Sequence, residues 1–352
     1  MKKKVNIILP FTLKTGGIMV ILRYANMLAD DGYDVKCYVP MIYYKFNFSG
    51  IVGMLKRIKA SFMNTFIRGK NVKWLSLKAN LELVPFITDK YIREADVVIA
   101  TAWPTAVSVN KLNKSKGEKI YFIQGYEVWS GPSELVEKTY KYNMKQIVIS
   151  KELKDIMINK FNSKNVQIVY NGIESEAFFF NEGEKESFTI STLYHPDKIK
   201  GFDDALNVIK ILKEKIPDVK IKCFGTTIPK KLPDYIEFYH NPSRKVLRDI
   251  YSSSNIYLFC SKNEGWGLTP LEAMACGAIV IGNNEGCLKE IGVNNENCII
   301  SDSNNIEKMA NDVIKVLIDE ELQESLRNKS INTIKGISLE NSYNDLKCIL
   351  FQ

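Results

Sequence analysis

Ten short runs rich in β-branched and aliphatic residues recur along the chain, and stretches of helical character separate them. They read VNIIL (5–9), DVKCYV (34–39), DVVIA (96–100), KIYFI (119–123), QIVIS (146–150), VQIVY (166–170), FTIST (188–192), VKIKCF (219–224), NIYLFC (255–260) and AIVIG (278–282). Most lack polar alternation, which suits parallel strands covered on both faces. Helical stretches at 17–31, 151–160, 202–215, 242–253 and 304–318 supply the crossovers, so the chain predicts an α/β fold. Some ten strands crowd a single sheet, and 352 residues suffice for two domains. We therefore expect two doubly wound domains. The break falls near 170–187, where Asn171-Gly172 signals a turn and a polar stretch leads into a fresh strand. The expected domains are 1–170 and 171–337. The final segment, SLENSYNDLKCILF (338–351), reads as an amphipathic helix capped near Ser338 or Asn341, and 338–352 is expected to pack back on the first domain.

Composition narrows the class. Hydrophobic residues make up 45% and charged residues 25%, ordinary values for a globular protein. No apolar run approaches the roughly 20 residues of a membrane span. The opening MKKKVNIILPFTLK is too short in its apolar part for a leader and reads as a first strand. Seven cysteines are scattered without a C-x-x-C pair, the pattern of buried thiols in a reducing compartment. A cytoplasmic chain is the expectation.

Charge is concentrated. Between Val35 and Leu81 there is no Asp or Glu, yet nine bases occur: Lys36, Lys45, Lys56, Arg57, Lys59, Arg68, Lys70, Lys73 and Lys78. That window carries +9 against +8 for the whole chain. Ile51, Met54, Leu55, Ile58, Phe62 and Phe66 recur at helical spacing beside those bases. The pattern fits an amphipathic helix in an anionic membrane surface through 51–73; a helix packed on the first domain with a solvated basic face is the alternative, and the absence of acids over the window favours the membrane surface. Aromatics in the window carry no nucleic-acid motif, and a nucleic-acid partner is not expected.

Ligands of doubly wound sheets bind at the carboxyl ends of strands, and three loops lie there. Gly16 and Gly17 follow the first strand and precede a helix, where bare backbone and a helix N-terminus favour an anion; a plain flexible turn reads the same way. Lys198 and Lys200 stand beside Gly201 in LYHPDKIKGFDDAL (193–206), with His195, one of two histidines, close by. In EGWGLTPLEAMACG (264–277), Glu264 and Glu272 flank two glycines and a helix start. Thr269-Pro-Leu-Glu272 also reads as a capping box with proline opening the helix, which would give Glu272 a purely structural task. Against that, Gly265 and Gly267 strip side chains from the mouth of the helix. Amides there suit an anion, and acids beside them suit sugar hydroxyls.

EGWGLTPLEAMACGAIVIGNNEGCLKEI resembles the E-x7-E region of the family 4 retaining glycosyltransferases; TGG (15–17), IVYNGIE (168–174), Lys200-Gly201 and the terminal ISLENSYNDL add to the likeness. The resemblance implies the GT-B fold, two Rossmann-like domains facing across a cleft. It implies a nucleotide-diphosphate sugar as donor, no cofactor, and a glycan or lipid-linked acceptor in bacterial surface polysaccharide synthesis. It places Glu264 on the donor sugar and Glu272 on the ribose hydroxyls. Gly16, Gly17 and Lys200 would hold the diphosphate, with Lys198 beside them. Gly265, Trp266, Gly267, Leu268 and Thr269 would lie against sugar and phosphate. The catalytic residues would be Glu264 and Lys200. FIQGYE (122–127) is similar to a subset that includes bacterial rhamnosyltransferases, and makes Gln124, Tyr126 and Glu127 acceptor-side candidates. The chain departs from the pattern in two places. Ser191-Thr192-Leu193 replaces Gly-Arg-Leu, losing a phosphate-binding arginine that Lys198, His195 or Tyr194 would have to replace. Gln124 or Gly125 stands where the family often has histidine. No Asp-x-Asp occurs, so no metal site is expected. Two other readings stay open: a non-catalytic GT-B subunit binding glycan or a partner transferase, and a nucleotide-sugar epimerase of the same fold.

Overall fold

The structure is a computed structural model; it describes residues 2–44, 50–61, 72, 74–181 and 188–351. The chain forms two compact units, Met1–Tyr170 with Tyr343–Gln352, and Asn171–Ser342.

The first unit holds a parallel sheet of β1 (Lys4–Ile8), β2 (Asp34–Pro40), β3 (Asn80–Val84), β4 (Val97–Ala100), β5 (Glu118–Ile123), β6 (Lys145–Val148) and β7 (Val166–Ile168). Their order is β3-β2-β1-β4-β5-β6-β7, so the winding reverses between β1 and β4. Its helices are α1 (Gly16–Asp30), α2 (Gly50–Ser61), α3 (Trp103–Lys111), α4 (Ser133–Tyr140) and α5 (Lys151–Phe161). The second unit repeats the plan with β8 (Thr189–Leu193), β9 (Lys220–Gly225), β10 (Ile236–His240), β11 (Ile256–Phe259), β12 (Ile279–Gly282) and β13 (Ile299–Ile300). Here the order is β10-β9-β8-β11-β12-β13, reversing between β8 and β11. Its helices are α6 (Phe202–Lys215), α7 (Arg244–Ser253), α8 (Leu268–Ala275), α9 (Leu288–Ile291), α10 (Ile306–Ile318) and α11 (Glu320–Ile334). The last helix, α12 (Leu339–Phe351), starts in the second unit and ends in the first.

The expected α/β fold of two parallel sheets is what the chain forms. Three strands escaped the sequence reading, namely β3, β10 and β13, and all three are edge strands. Central strands β1, β4, β11 and β12 are buried almost throughout, whereas β3 (NLELV) and β10 (IEFYH) mix buried with half-exposed or exposed positions. An edge strand covered less fully has no need of a continuous apolar run.

Helix ends follow local chemistry. Ser150 Oγ accepts from Leu153 N at 3.2 Å to start α5, and Ser338 Oγ accepts from Asn341 N at 3.0 Å to start α12. Within the first unit, Tyr343 Oη and Lys347 Nζ of α12 both reach Asp31 Oδ2, at 2.6 and 2.8 Å, and hold that carboxyl below its usual pKa.

Two expectations change. Of the seven cysteines six are buried, but Cys348 is exposed. The basic window is partly neutralised by its neighbours: Lys36 pairs with Glu82 across the β2–β3 edge at 2.7 Å, and Lys78 pairs with Asp30 at 2.7 Å. A run without acids in sequence therefore has acids beside it in space. Met54 and Leu55 on α2 are exposed, while Phe62, Phe66, Lys45, Arg68, Lys70 and Lys73 lie outside the described residues. Among the described residues no helix is long and apolar enough to cross a membrane.

Candidate active site

The strongest constellation of the second unit lies at its switch point. β8 runs into a 3-10 turn, Lys198–Lys200, whose start is capped by Asp197: its Oδ1 accepts from Ile199 N at 3.1 Å. Gly201 then takes φ +69 and lets the chain pass against the end of β11; a Cβ there would lie 1.9 Å from the Cys260 carbonyl. Only glycine meets both demands. β11 ends in the loop 260–267. Lys200 Nζ and Glu264 Oε1, separated by 64 residues in sequence, meet at 2.6 Å. Their side chains are 25% and 15% exposed, so the pair is accessible yet sheltered from bulk water. Ser261 Oγ donates to the same Oε1 at 3.3 Å and steadies the carboxylate. A small pocket beside the pair is lined by Leu193, Lys200, Tyr257, Ser261 and Glu264 among others.

Beyond Glu264 the chain turns into α8. Gly267 precedes it with φ +83, and no side chain caps the helix. The amides of Gly267, Leu268 and Thr269 therefore open a helix N-terminus without a protein cap. The capping box expected over Thr269–Glu272 is corrected: the helix begins at Leu268, placing Thr269 and Pro270 inside its first turn. Thr269 is hydrogen-bonded to the buried Tyr257 hydroxyl. Glu272 lies one turn on, 8% exposed, with its Oε2 accepting from Tyr251 Oη at 3.4 Å. Trp266 also departs from expectation. Its side chain is 2% exposed and its Nε1 donates to the Asn171 carbonyl at 2.9 Å, so it locks the loop and leaves no ring for a ligand. Gly286, at φ +58, lets the following loop pack on Trp266; a Cβ there would meet the Trp266 carbonyl at 2.3 Å. Tyr251, Ser261 and Gly286 were not singled out from sequence. Tyr251 and Gly286 act through partners about 20 residues away, Glu272 and Trp266, which no local motif reveals; Ser261 lies only three residues before Glu264 but is an ordinary loop serine by sequence.

In the first unit, Thr15 caps α1 by accepting from Ile18 N, and Gly16 has nothing within 4 Å of where a Cβ would sit. Gly17 touches Gln124, whose Nε2 donates to the Gly17 carbonyl at 3.2 Å, so these two candidates do come together. Gln124 Oε1 is buried without a hydrogen-bond partner. The Tyr126 hydroxyl donates to Glu137 Oε1 and receives Lys160 Nζ at 2.6 Å, so this acceptor-side candidate is held in place by its neighbours. Glu127 Oε2 accepts the Trp103 amide at 3.0 Å, closing the N-terminus of α3 from a segment 24 residues away. Burial pushes this carboxyl up to about 7, against the pull of that amide.

Lys198 stays exposed. Among the described residues no group of three or more His, Cys, Asp or Glu is placed to hold a metal ion.

Comparison with known proteins meets this geometry. Residues 172–333 match the family model "Glycosyl transferases group 1", covering both carboxylates and Lys200. A glycosyltransferase of Haemophilus influenzae is 31% identical over 47% of this chain and 49% of its own. The capsular polysaccharide biosynthesis glycosyltransferase CapM of Staphylococcus aureus is 23% identical over 74% of this chain and 77% of its own. Some matched curated relatives are spanned only about halfway, 57% and 49% of their lengths. Anabaena HepE, solved with UDP-glucose, superposes with a TM-score of 0.75 at 11% identity over 99% of each chain. The whole chain thus has the α/β fold of the GT-B proteins, and its second unit carries the sequence pattern of the glycosyl transferases group 1.

Proposed function

We propose that the protein is a retaining glycosyltransferase that moves a sugar from a nucleotide-diphosphate sugar to a glycan or lipid-linked acceptor in surface polysaccharide synthesis. The observation that carries this is the Lys200–Glu264 pair at the β8/β11 switch point, inside the residues matched to the glycosyl transferases group 1. The capsular role printed for CapM supports the polysaccharide setting, and HepE's UDP-glucose supports the donor class.

Breaking a sugar–phosphate bond leaves positive charge on the sugar and negative charge on the diphosphate. Lys200 and the amides at the head of α8 are aimed where that negative charge grows, which is where fixed donors accelerate a reaction most. Glu264 accepts hydrogen bonds from the donor sugar. Glu272 accepts them from the ribose, with Tyr251 orienting its carboxylate. In retention the acceptor attacks from the face of departure and the leaving phosphate takes its proton, so neither a metal nor a histidine base is required.

Hydrolysis and thermal shift against UDP-, dTDP-, GDP- and ADP-sugars test the reading. One donor should stabilise the protein and be consumed when acceptor is present; binding of none overturns it. A non-catalytic subunit is favoured by one observation, the buried Thr192 in place of the phosphate arginine. It predicts a donor that binds and is never consumed. We further infer a peripheral site on an anionic membrane face through 51–73, supported by exposed Met54 and Leu55 beside Lys56 and Lys59. Co-sedimentation with anionic vesicles at low salt decides it; binding unchanged when Lys56, Arg57 and Lys59 become Glu is the contrary result.

A further inference from the structure

A donor diphosphate needs more positive character than one lysine gives, and position 192 does not supply it. Thr192 is 2% exposed, and its Oγ1 donates to the Leu258 carbonyl at 3.0 Å inside the sheet. Tyr194 packs edge-on against Phe202 and Phe238, with ring centroids 4.8 and 6.1 Å apart, and belongs to the core of the second unit. Lys198 is an exposed side chain at the start of its turn.

His195 is placed differently. It is half-buried at the end of β8, in the loop that delivers Lys200. The Asp197 amide donates to its Nδ1 at 3.1 Å. A neutral imidazole that accepts at Nδ1 carries its proton on Nε2, so the backbone fixes the tautomer and presents an N–H donor on the far side of the ring. The charged groups that act on it are Lys200 on the adjoining turn, Asp197 in its own loop and Glu264 on the loop after β11. Burial, and then Lys200, hold the imidazole below its ordinary pKa, with Asp197 and Glu264 opposing. It is therefore mainly neutral at pH 7.

Resting on the donor-site reading above, we propose that His195 stands in for the absent arginine. Its Nε2–H donates to an oxygen of the donor diphosphate beside Lys200, and the ring takes up a proton from solvent when the donor binds. The physical reason is charge balance. In the protein alone, Lys200 is already opposed by Glu264. A diphosphate carrying two negative charges sets a strong anion against the imidazole, favouring its charged form against the burial and the Lys200 charge that keep it neutral in the free protein. Binding then converts a neutral donor into a cationic one, and a charged donor holds a phosphate oxygen more strongly as it leaves. Affinity should rise as pH falls through the bound-state pKa of His195, by at most about tenfold per pH unit, and level off below its free-state pKa.

The test is calorimetry with whichever of the UDP-, dTDP-, GDP- and ADP-sugars binds most tightly. Such diphosphate diesters have no proton of their own to exchange near neutral pH. Titrations at pH 7 in buffers of different ionisation enthalpy should show net proton uptake by the wild type. His195→Gln keeps an N–H donor without titrating: proton uptake and pH dependence should vanish while affinity at pH 8 stays within about threefold. His195→Ala should weaken binding about tenfold at pH 7 and also take up no proton. Wild-type binding without proton uptake, or binding by His195→Ala equal to wild type, overturns the assignment while leaving the donor site standing. If the wild type binds none of the four donors, the donor-site reading falls and this assignment with it.

Discussion

Each sheet carries a glutamate beyond the carboxyl end of a central strand, and the two are treated in opposite ways. Glu264, after β11, is matched by a lysine at 2.6 Å and shares its oxygen with a serine hydroxyl. Glu127, after β5, has one backbone amide for its carboxylate and a pKa pushed up to about 7. The first carboxylate faces a cation delivered by another loop, a setting for handling charged groups. The second, its carboxyl pushed up to about 7 by burial, is spent on closing a helix end. Motif position alone does not decide a carboxylate's task; the partner delivered by a distant loop does.

Substitutions can break that contrast, starting with the glycine that brings the lysine and glutamate loops together. Gly201→Val would force a side chain at φ +69 into the Cys260 carbonyl. We expect a loss of about 3 kcal/mol or more, seen as collapse of the second unit's thermal transition. A transition unmoved by this change would show that the loop relaxes freely and that the pair is not built by close packing.

Lys200→Ala should cost about 10²- to 10³-fold in turnover with a smaller change in donor affinity, since the lysine meets charge that grows in the transition state. Normal turnover with weaker donor binding would assign the leaving-group charge elsewhere.

Glu272→Ala should weaken donor affinity by about 1.5–3 kcal/mol, roughly 10- to 100-fold, through lost bonds from ribose hydroxyls. A 2′-deoxyribose donor should lose much of that difference. Unchanged affinity together with lower stability would make Glu272 only a partner for Tyr251.

Glu127 gives a pH test of the other half of the contrast. Its carboxyl is raised from 4.5 to about 7 by burial, so the folded state holds the proton more tightly. Stability from this group is complete below pH 4.5, falls as pH climbs from 4.5 to about 7, and is lost above. Glu127→Gln should match wild type in acid and exceed it by about 1–2 kcal/mol at pH 8, by denaturant melts at both pH values. Parallel melts at both pH values would place Glu127 among ordinary surface acids.

The smallest effect concerns Gly16. With nothing within 4 Å, Gly16→Ala should shift stability by no more than about 0.5 kcal/mol. A large loss would show that the loop before α1 needs glycine as strictly as position 201 does.

The sequence by itself determined the central parallel strands, because a strand buried on both faces must be apolar throughout. Helix α6 was likewise legible at 202–215, matching Phe202–Lys215, since its apolar positions recur at helical spacing. It also marked Glu264, Glu272 and Lys200 as residues of interest, since glycine-flanked acids after strands are conspicuous. It read Thr269 as a cap and Trp266 as a donor-side residue, whereas the helix starts at Leu268 and the Trp266 ring is buried, because a chain written in one dimension shows neither where a helix starts by a few residues nor which side of a loop faces inward. Edge strands β3, β10 and β13 were hidden by their lighter burial. The long-range partners were decided by the tertiary structure alone: Lys200 with Glu264 across 64 residues, Tyr251 with Glu272, and Trp103 with Glu127. All three pairings join loops or helices that the sheet order makes neighbours. That order is set by long-range strand pairing, which leaves no mark on residues lying side by side in sequence.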